Sequence, residues 1–267
     1  MMSGVEFKKT ATWSGISRNI LKLIAITTIT IGHFFLYTLG TLNIVHKIPI
    51  PWRMILCYIC FMGPPIFMFF ISEGFHYTSS KKRYGERLLI FALITQVAHA
   101  IKVHDGTIGF DFGTFFFSWN VFFALFLGFL DLCILTSKKK MAIKVIGVFL
   151  TLALSYCMTA EWWVFGQLII LAFYYLKDHH ILKFVLVTIL YYSTFVFGEF
   201  ELNGTFELSF WTKQTPYLLA FGMIGIAFVT FLYKGKNGKK SKALQYFFYV
   251  FYPVHLLLIH LVNWIAG

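Results

Sequence analysis

Charge is scarce in this 267-residue chain: only 13% of its residues are Asp, Glu, Lys or Arg, and just 11 are acidic. With 58% hydrophobic residues and a mean hydropathy of +0.74, that shortage excludes an ordinary soluble domain. Cysteine is sparse as well. Cys57 and Cys60 form a C-x-x-C pair, but inside an apolar run with no second pair or ligand set beside it, which argues against zinc. All four cysteines read as small core residues. The chain lacks a Walker-type phosphate loop, which weakens the case for an ATP-driven pump, and lacks visible internal or inverted repeats. Its net charge of +12 does not indicate nucleic acid, because the basic runs are short, scattered among loops and not interleaved with stacking aromatics.

What the chain has in abundance is long apolar runs. Segments near 20–40, 52–76, 84–102, 116–136, 141–157, 162–176, 181–198, 216–233 and 243–265 read as membrane-spanning helices. The expected fold is thus an all-α integral membrane protein of about nine transmembrane helices. Nineteen of the 23 Lys and Arg lie in the amino-terminal segment and in the loops Ser79–Arg83, Ser137–Lys144, Lys177–Lys183 and Lys234–Lys242 with their flanks. Lys47, Arg53, Lys102 and Lys213 fall on the alternate side. The positive-inside rule then places the amino terminus in the cytoplasm and the carboxyl terminus outside. Trp52, Trp119, Trp162, Trp163 and Trp264 fall near span ends, as an interfacial belt requires. Residues 1–19, with Lys8, Lys9, Trp13 and Arg18, read as a cytoplasmic interfacial segment too polar for a cleaved signal peptide, and 20–267 as one multi-span domain.

Ionisable groups within spans are costly and therefore functional candidates. Lys22 and His33 share the first span. Eleven residues at ~100° each return to nearly the same helix face, and at ~1.5 Å rise they separate the two groups by roughly 16 Å. Imidazole is the side chain best suited to exchange a proton near neutral pH, so His33 is the candidate general base. His255 lies at similar depth in the ninth span, which runs in the same direction; taken alone it reads as a core histidine. Pro64-Pro65 and Pro253 favour broken or kinked helices, tolerated at depth beside protein or a water-filled cavity.

Lys22, Glu73, Tyr84 and Arg87 all fall near the cytoplasmic boundary. Glu73 and Arg87 flank a short hairpin and read either as a structural ion pair or as part of a binding site. Together with Lys81, Lys82 and Arg83 the cluster suits an anionic, phosphorylated cytosolic cofactor. Near the outer face lie Asn120 and Glu161, then an acidic loop with Glu199, Glu201 and Glu207 that reads as solvated surface. Asp131 reads as a packing or pairing residue.

These residues stand in a recognisable order. Leu21-Lys22-Leu-Ile-Ala25 with Gly32-His33, Pro65-Ile-Phe67-Met-Phe69, and Glu73-Gly74-Phe75 with Thr78, Tyr84 and Arg87-Leu88 resemble the TraX family. Asn120-Val-Phe122-Phe123, Tyr233-Lys-Gly-Lys-Asn-Gly238 and Tyr252-Pro253-Val-His255-Leu256 extend the resemblance to about Leu258. TraX-like proteins are similar to the membrane acyltransferase-3 superfamily, in which a basic residue and a histidine separated by ten residues mark the active span; Lys22 and His33 have that spacing. The resemblance implies transfer of an acetyl or other small acyl group from cytosolic acyl-CoA to an acceptor at the outer side of a bacterial cytoplasmic membrane. The family's named activity is acetylation of a conjugative pilin's amino terminus. The family usually has aspartate where this chain has Gly32, and Glu161 stands roughly where it has another aspartate.

On that reading Lys22, Arg87 and the Lys81–Arg83 loop meet the phosphates of acetyl-CoA, and His33 takes the acceptor's proton. His255 or Asn120 supplies the oxyanion partner. The acceptor, a peptide amino terminus, a glycan hydroxyl or a lipid-linked sugar, passes Asn120 and Glu161. Two other readings stay open: a channel or transporter in which His33, Lys22 and Glu73 line a proton or anion path, and an inactive acyltransferase relative that binds a membrane partner.

Overall fold

The computed structural model describes residues 15–266 apart from 40, 43, 45, 46, 105, 204–213 and 236–241. Most of the predicted amino-terminal segment, Glu207 of the acidic loop and most of the 234–242 loop lie outside the described residues.

Helix α1 is Arg18–Thr38, opened by Ser17, whose hydroxyl accepts from the Ile20 amide. Next comes a broken helix: α2, Ile50–Tyr58, a single 3₁₀ turn at Ile59–Met62, and α3, Gly63–Tyr77. The break has a plain cause, since Pro64 and Pro65 lack amide protons for the preceding turn. Neighbours support it. Tyr191 donates its hydroxyl to the Phe61 carbonyl at 2.8 Å, and Gly225 lies so close to the turn that a Cβ there would overlap the Met62 carbonyl.

Helix α4, Lys81–Ala100, leads into a hairpin of β1, Ile101–His104, and β2, Thr107–Phe110, in antiparallel register Ile101 to Phe110 and His104 to Thr107. There follow α5, Phe112–Phe117; α6, Val121–Leu135; α7, Met141–Cys157; α8, Trp163–Tyr175; and α9, His180–Asn203. Helix α10, Thr215–Ala227, ends in a π-helical turn, Phe228–Leu232, and α11 is Lys242–Ala266 with Pro253 inside it.

Among the described residues, six helices are long and apolar enough to cross a membrane: Arg18–Thr38, Ile50–Tyr77, Phe112–Leu135, His180–Gly198, Thr215–Leu232 and Tyr246–Ala266. Helices α7 and α8 are apolar but shorter. The chain is therefore a mostly helical, multi-pass membrane protein. The hairpin and α5 correct the sequence reading, which ran its third span through residue 102 and began its fourth at 116. The buried Gln96 explains the corner: its amide donates to the carbonyls of Thr114, Phe115 and Ser118, ending α5 against α4.

Helices α3, α6 and α8 form the centre, with Ile66, Met68, Phe129, Leu132, Ile169 and Ile170 almost wholly enclosed. Glycine sets one close approach there, because a Cβ at Gly85 would stand 3.0 Å from the Phe129 ring. Of the cysteines, Cys57 and Cys60 are buried, but Cys157 is exposed at the end of α7, so it is not a core residue.

Candidate active site

At one end of the bundle, α1 presents Arg18 and Lys22 one turn apart on a single face. Arg18 Nε donates to Glu73 Oε2 at 3.0 Å, and the Tyr233 hydroxyl donates to the other carboxylate oxygen. Burial, and after it the neighbouring carboxylate, raises the Tyr233 phenol well above its ordinary range, so it stays a donor. Glu73 is thus neutralised by Arg18, and no Glu73–Arg87 ion pair exists among the described residues. Of the two readings of Glu73 and Arg87, the structural ion pair is not formed, for a geometric reason: Arg87 turns the other way, to Tyr249 and the Tyr84 ring, leaving its Nε buried without a partner. Lys22 lies over two aromatic faces, its Nζ 5.2 Å from the Phe70 centroid and 5.0 Å from that of Phe248.

Deeper in α1, His33 Nδ1 lies 3.0 Å from Nε2 of His255 on α11, with the rings stacked at 5.2 Å. His255 stacks in turn on Phe251, which fixes its ring plane. The Nδ1 of His255 faces the carbonyls of Phe251 and Tyr252 but makes no well-formed hydrogen bond. With the proton of His255 on that nitrogen, its Nε2 is the acceptor for His33 Nδ1–H, and the lone pair of His33 is left on its own Nε2.

Gly32, beside it, is a packing requirement. A Cβ there would overlap the Cys60 side chain and stand 2.8 Å from the Cys60 backbone nitrogen. An aspartate has no room at this helix crossing.

Beyond the histidines lies Glu161, in the turn between α7 and α8. Thr159, Trp162 and Trp163 all have positive φ, at 37°, 70° and 46°, a conformation that costs of order 1–3 kcal/mol each in non-glycine residues. The turn is pinned by its own bonds: Glu161 N to the Trp119 carbonyl at 2.8 Å, Trp119 N to the Met158 carbonyl at 3.1 Å, and Ser155 Oγ to the Trp163 carbonyl at 3.1 Å. The carboxyl is held by the Tyr252 hydroxyl and the Val121 amide, with His99 Nδ1 4.0 Å from Oε1. Protein surrounds it, and about a third of the side chain is open toward the interior space. Burial pushes its pKa up to about 7.

One cavity of about 880 Å³ connects these places. Arg18, Lys22, Glu73, Tyr84 and Arg87 line one end, Phe67, Phe70, Phe122 and Leu125 the middle, and His33, Tyr37, Glu161, Trp162 and Tyr252 the other. A space with a cationic mouth, an apolar waist and a mixed polar end can hold a long ligand whose charged and reactive groups are far apart.

Of the predicted site residues, His33, Lys22, Glu73, Tyr84, Arg87 and Glu161 meet in this cavity. Five do not line it. Asn120 caps α6: its Oδ1 accepts from the Phe122 amide, and its amide protons go to the Ala92 carbonyl and Gln96 Oε1, leaving none for an oxyanion. His255 stands behind His33 and orients it. Lys81 covers the Phe75 ring at 3.9 Å, Lys82 pairs with Glu86 across 3.9 Å, and Arg83 is exposed at the helix start. Sequence reasoning missed Arg18, assigned to the surface segment, although its spacing from Lys22 puts both on one face. It also missed Tyr37 and Tyr252, each one turn of helix from a site histidine. Among the described residues no group of three or more His, Cys, Asp or Glu is placed to hold a metal ion.

Fold and cavity together define a polytopic membrane protein with a buried polar site reached from one end of its helix bundle. The family of TraX proteins matches residues 17–263, and the chain belongs to that family. It is also similar to a probable fimbrial assembly protein FimC, serogroup H1, of Dichelobacter nodosus, at 27% identity over 259 residues, covering 91% of this chain and 97% of that protein. No solved structure matches the chain.

Proposed function

We propose that this protein is a membrane-embedded acyltransferase that moves an acetyl or other small acyl group from cytosolic acetyl-CoA to an amine presented at the opposite face of a bacterial cytoplasmic membrane. The observation that carries this reading is the single cavity joining the Lys22–Arg87 cation cluster to His33. Phosphates of the donor bind at the mouth, where Arg18 offsets Glu73 and the charges of Lys22 and Arg87 remain for an anion. The coenzyme's arm follows the apolar waist to His33, roughly 16 Å along α1 from Lys22. There Nε2 of His33 takes a proton from the acceptor nitrogen as it attacks the thioester carbon. His255 positions that imidazole in the role that a carboxylate at residue 32 would fill.

The name of the FimC relative, and the pilin acetylation associated with TraX proteins, favour a fimbrial or pilin subunit's amino terminus as acceptor over a glycan or lipid-linked sugar. Glu161 among Tyr37, Trp162 and Tyr252 offers a carboxylate and aromatic faces suited to an ammonium group. In this reading nine helices cross the bilayer, with the amino terminus and the Lys22 mouth cytoplasmic and Glu161 near the outer face.

The test is acetyl-CoA binding and coenzyme A release by the protein in lipid nanodiscs, with a free-amine peptide as acceptor. Lys22→Ala should weaken binding, and His33→Ala should abolish release while leaving binding intact. Ion flux in proteoliposomes without thioester loss would favour a transporter; binding that survives in a wild type with no transfer would favour an inactive relative.

A further inference from the structure

Resting on the acyltransferase reading, we infer that Glu161 is a second base, separate from His33, that strips the first proton from the acceptor ammonium. An amine near neutral pH arrives as R–NH₃⁺, because an α-amino group has a pKa of about 7.7–8.0. It must lose two protons to become an amide, while the departing sulfur takes up one. The balance is one proton released per turnover. A hydroxyl acceptor releases none, and one base suffices for it.

The cavity holds two bases at its far end, and they belong to different networks. His33 is bound to His255. Glu161 faces a separate set of groups: Tyr252 of α11 and the Val121 amide at the start of α6, His99 of α4, Lys102 of β1 and Tyr37 of α1. The Tyr37 and Tyr252 rings also face His33, at 5.5 and 6.4 Å, so the space between the bases is bounded by two phenols. His99 leads away from it, toward Lys102, His260 and the hairpin. The strained turn at 159–163 carries the carboxyl to this spot.

The steps balance. Glu161 carboxylate accepts one proton from the ammonium, leaving the nitrogen lone pair. Nitrogen attacks the thioester carbon, the C–S bond breaks, and the second N–H proton passes by His33 to the leaving sulfur, giving amide and free thiol. Glu161 then returns its proton to solvent. Its pKa of about 7 suits a group that must take up and release a proton in each cycle.

The experiment compares wild type, Glu161→Gln, Glu161→Asp and His33→Ala in nanodiscs, with acetyl-CoA and a synthetic tripeptide amide bearing a free α-amine, from pH 6.5 to 9. Coenzyme A release and proton release are read together. Wild type should release about one proton per coenzyme A at pH 6.5, falling toward none at pH 9, where the amine arrives neutral. Glu161→Gln should be slowed about fourfold to eightfold at pH 6.5, where about one α-amine in seventeen to thirty is already neutral and about one Glu161 in four is ionised, and should approach wild type at pH 9. Glu161→Asp should keep part of the low-pH rate, and His33→Ala should fail at every pH. A Glu161→Gln defect equal at all pH values, or no defect at pH 6.5, overturns the second base while leaving the acyltransferase standing. No turnover by wild type removes both.

Discussion

Nδ1 of His33 lies 3.0 Å from Nε2 of His255, two residues 222 positions apart whose helices run side by side. One proton lies along that line, so each ring decides the other's tautomer. Without His255, His33 is free to rotate or to protonate on the wrong nitrogen. His255→Ala is expected to lower kcat for coenzyme A release about 10- to 100-fold with little change in KM for acetyl-CoA. His255→Gln, whose carbonyl oxygen can still accept from His33, should recover part of that rate. A rise in KM alone, with kcat intact, would place His255 outside the proton network.

Glu73 accepts from Arg18 and Tyr233 and so joins α1, α3 and the end of α10. Arg18→Ala leaves a largely buried carboxylate without its cation and should destabilise the protein by about 2–4 kcal/mol. Tyr233→Phe removes one donor and should cost about 1–3 kcal/mol. Urea or thermal unfolding in detergent checks both. If Arg87→Ala is as destabilising as Arg18→Ala, then Arg87 is a structural cation and not one held for a ligand.

Gly32 sits where helix α1 crosses the 3₁₀ turn of the broken helix. Gly32→Asp restores the residue usual in the family but pushes a side chain into Cys60, so it should destabilise by about 1–3 kcal/mol or more and lower activity. Gly32→Asp combined with Cys60→Gly should recover only part of that stability, because the Cys60 backbone nitrogen still stands 2.8 Å from the new Cβ. Higher activity from Gly32→Asp alone would show that the crossing has room and that His255 does not do the work of a carboxylate.

The Glu161 carboxyl titrates near pH 7 in the folded protein against an ordinary value of 4.5. Below the ordinary value both states are protonated and nothing changes. As pH rises from there to about 7, the unfolded chain ionises first, so stability falls across that window and then levels off. The penalty, reduced because about a third of the side chain is open to the cavity, is about 1 kcal/mol. Glu161→Gln should therefore melt about 2–4 °C above wild type at pH 8 and level with it at pH 4. Equal melting at both pH values would place the carboxyl in open solvent.

Much of this arrangement was legible in the chain. The periodicity of α1 put Lys22 and His33 on one face, and counting depth along two helices of like direction put His255 level with His33. The proline pair marked the break in the second helix. Other features depend on contacts that no local pattern carries. Asn120 looked like a polar group at a span start, yet its partners Ala92 and Gln96 lie on α4 and turn it into a cap. Arg18 looked like surface charge because its partner stands 55 residues away. The 101–110 hairpin was hidden because a short strand after an apolar helix continues the same hydrophobic run, and the corner is fixed by contacts distant in sequence, those of Gln96 among them.

The central claim is that one cavity carries a thioester from the Lys22–Arg87 mouth to His33. The most direct measurement is coenzyme A release from acetyl-CoA by the protein in nanodiscs with a free-amine peptide, comparing wild type, Lys22→Ala and His33→Ala, each with its acetyl-CoA Kd. Expected are peptide-dependent release by wild type, weakened binding for Lys22→Ala, and normal binding with no release for His33→Ala. Undiminished release by His33→Ala, or acetyl-CoA binding indifferent to both Lys22 and Arg87, would contradict it.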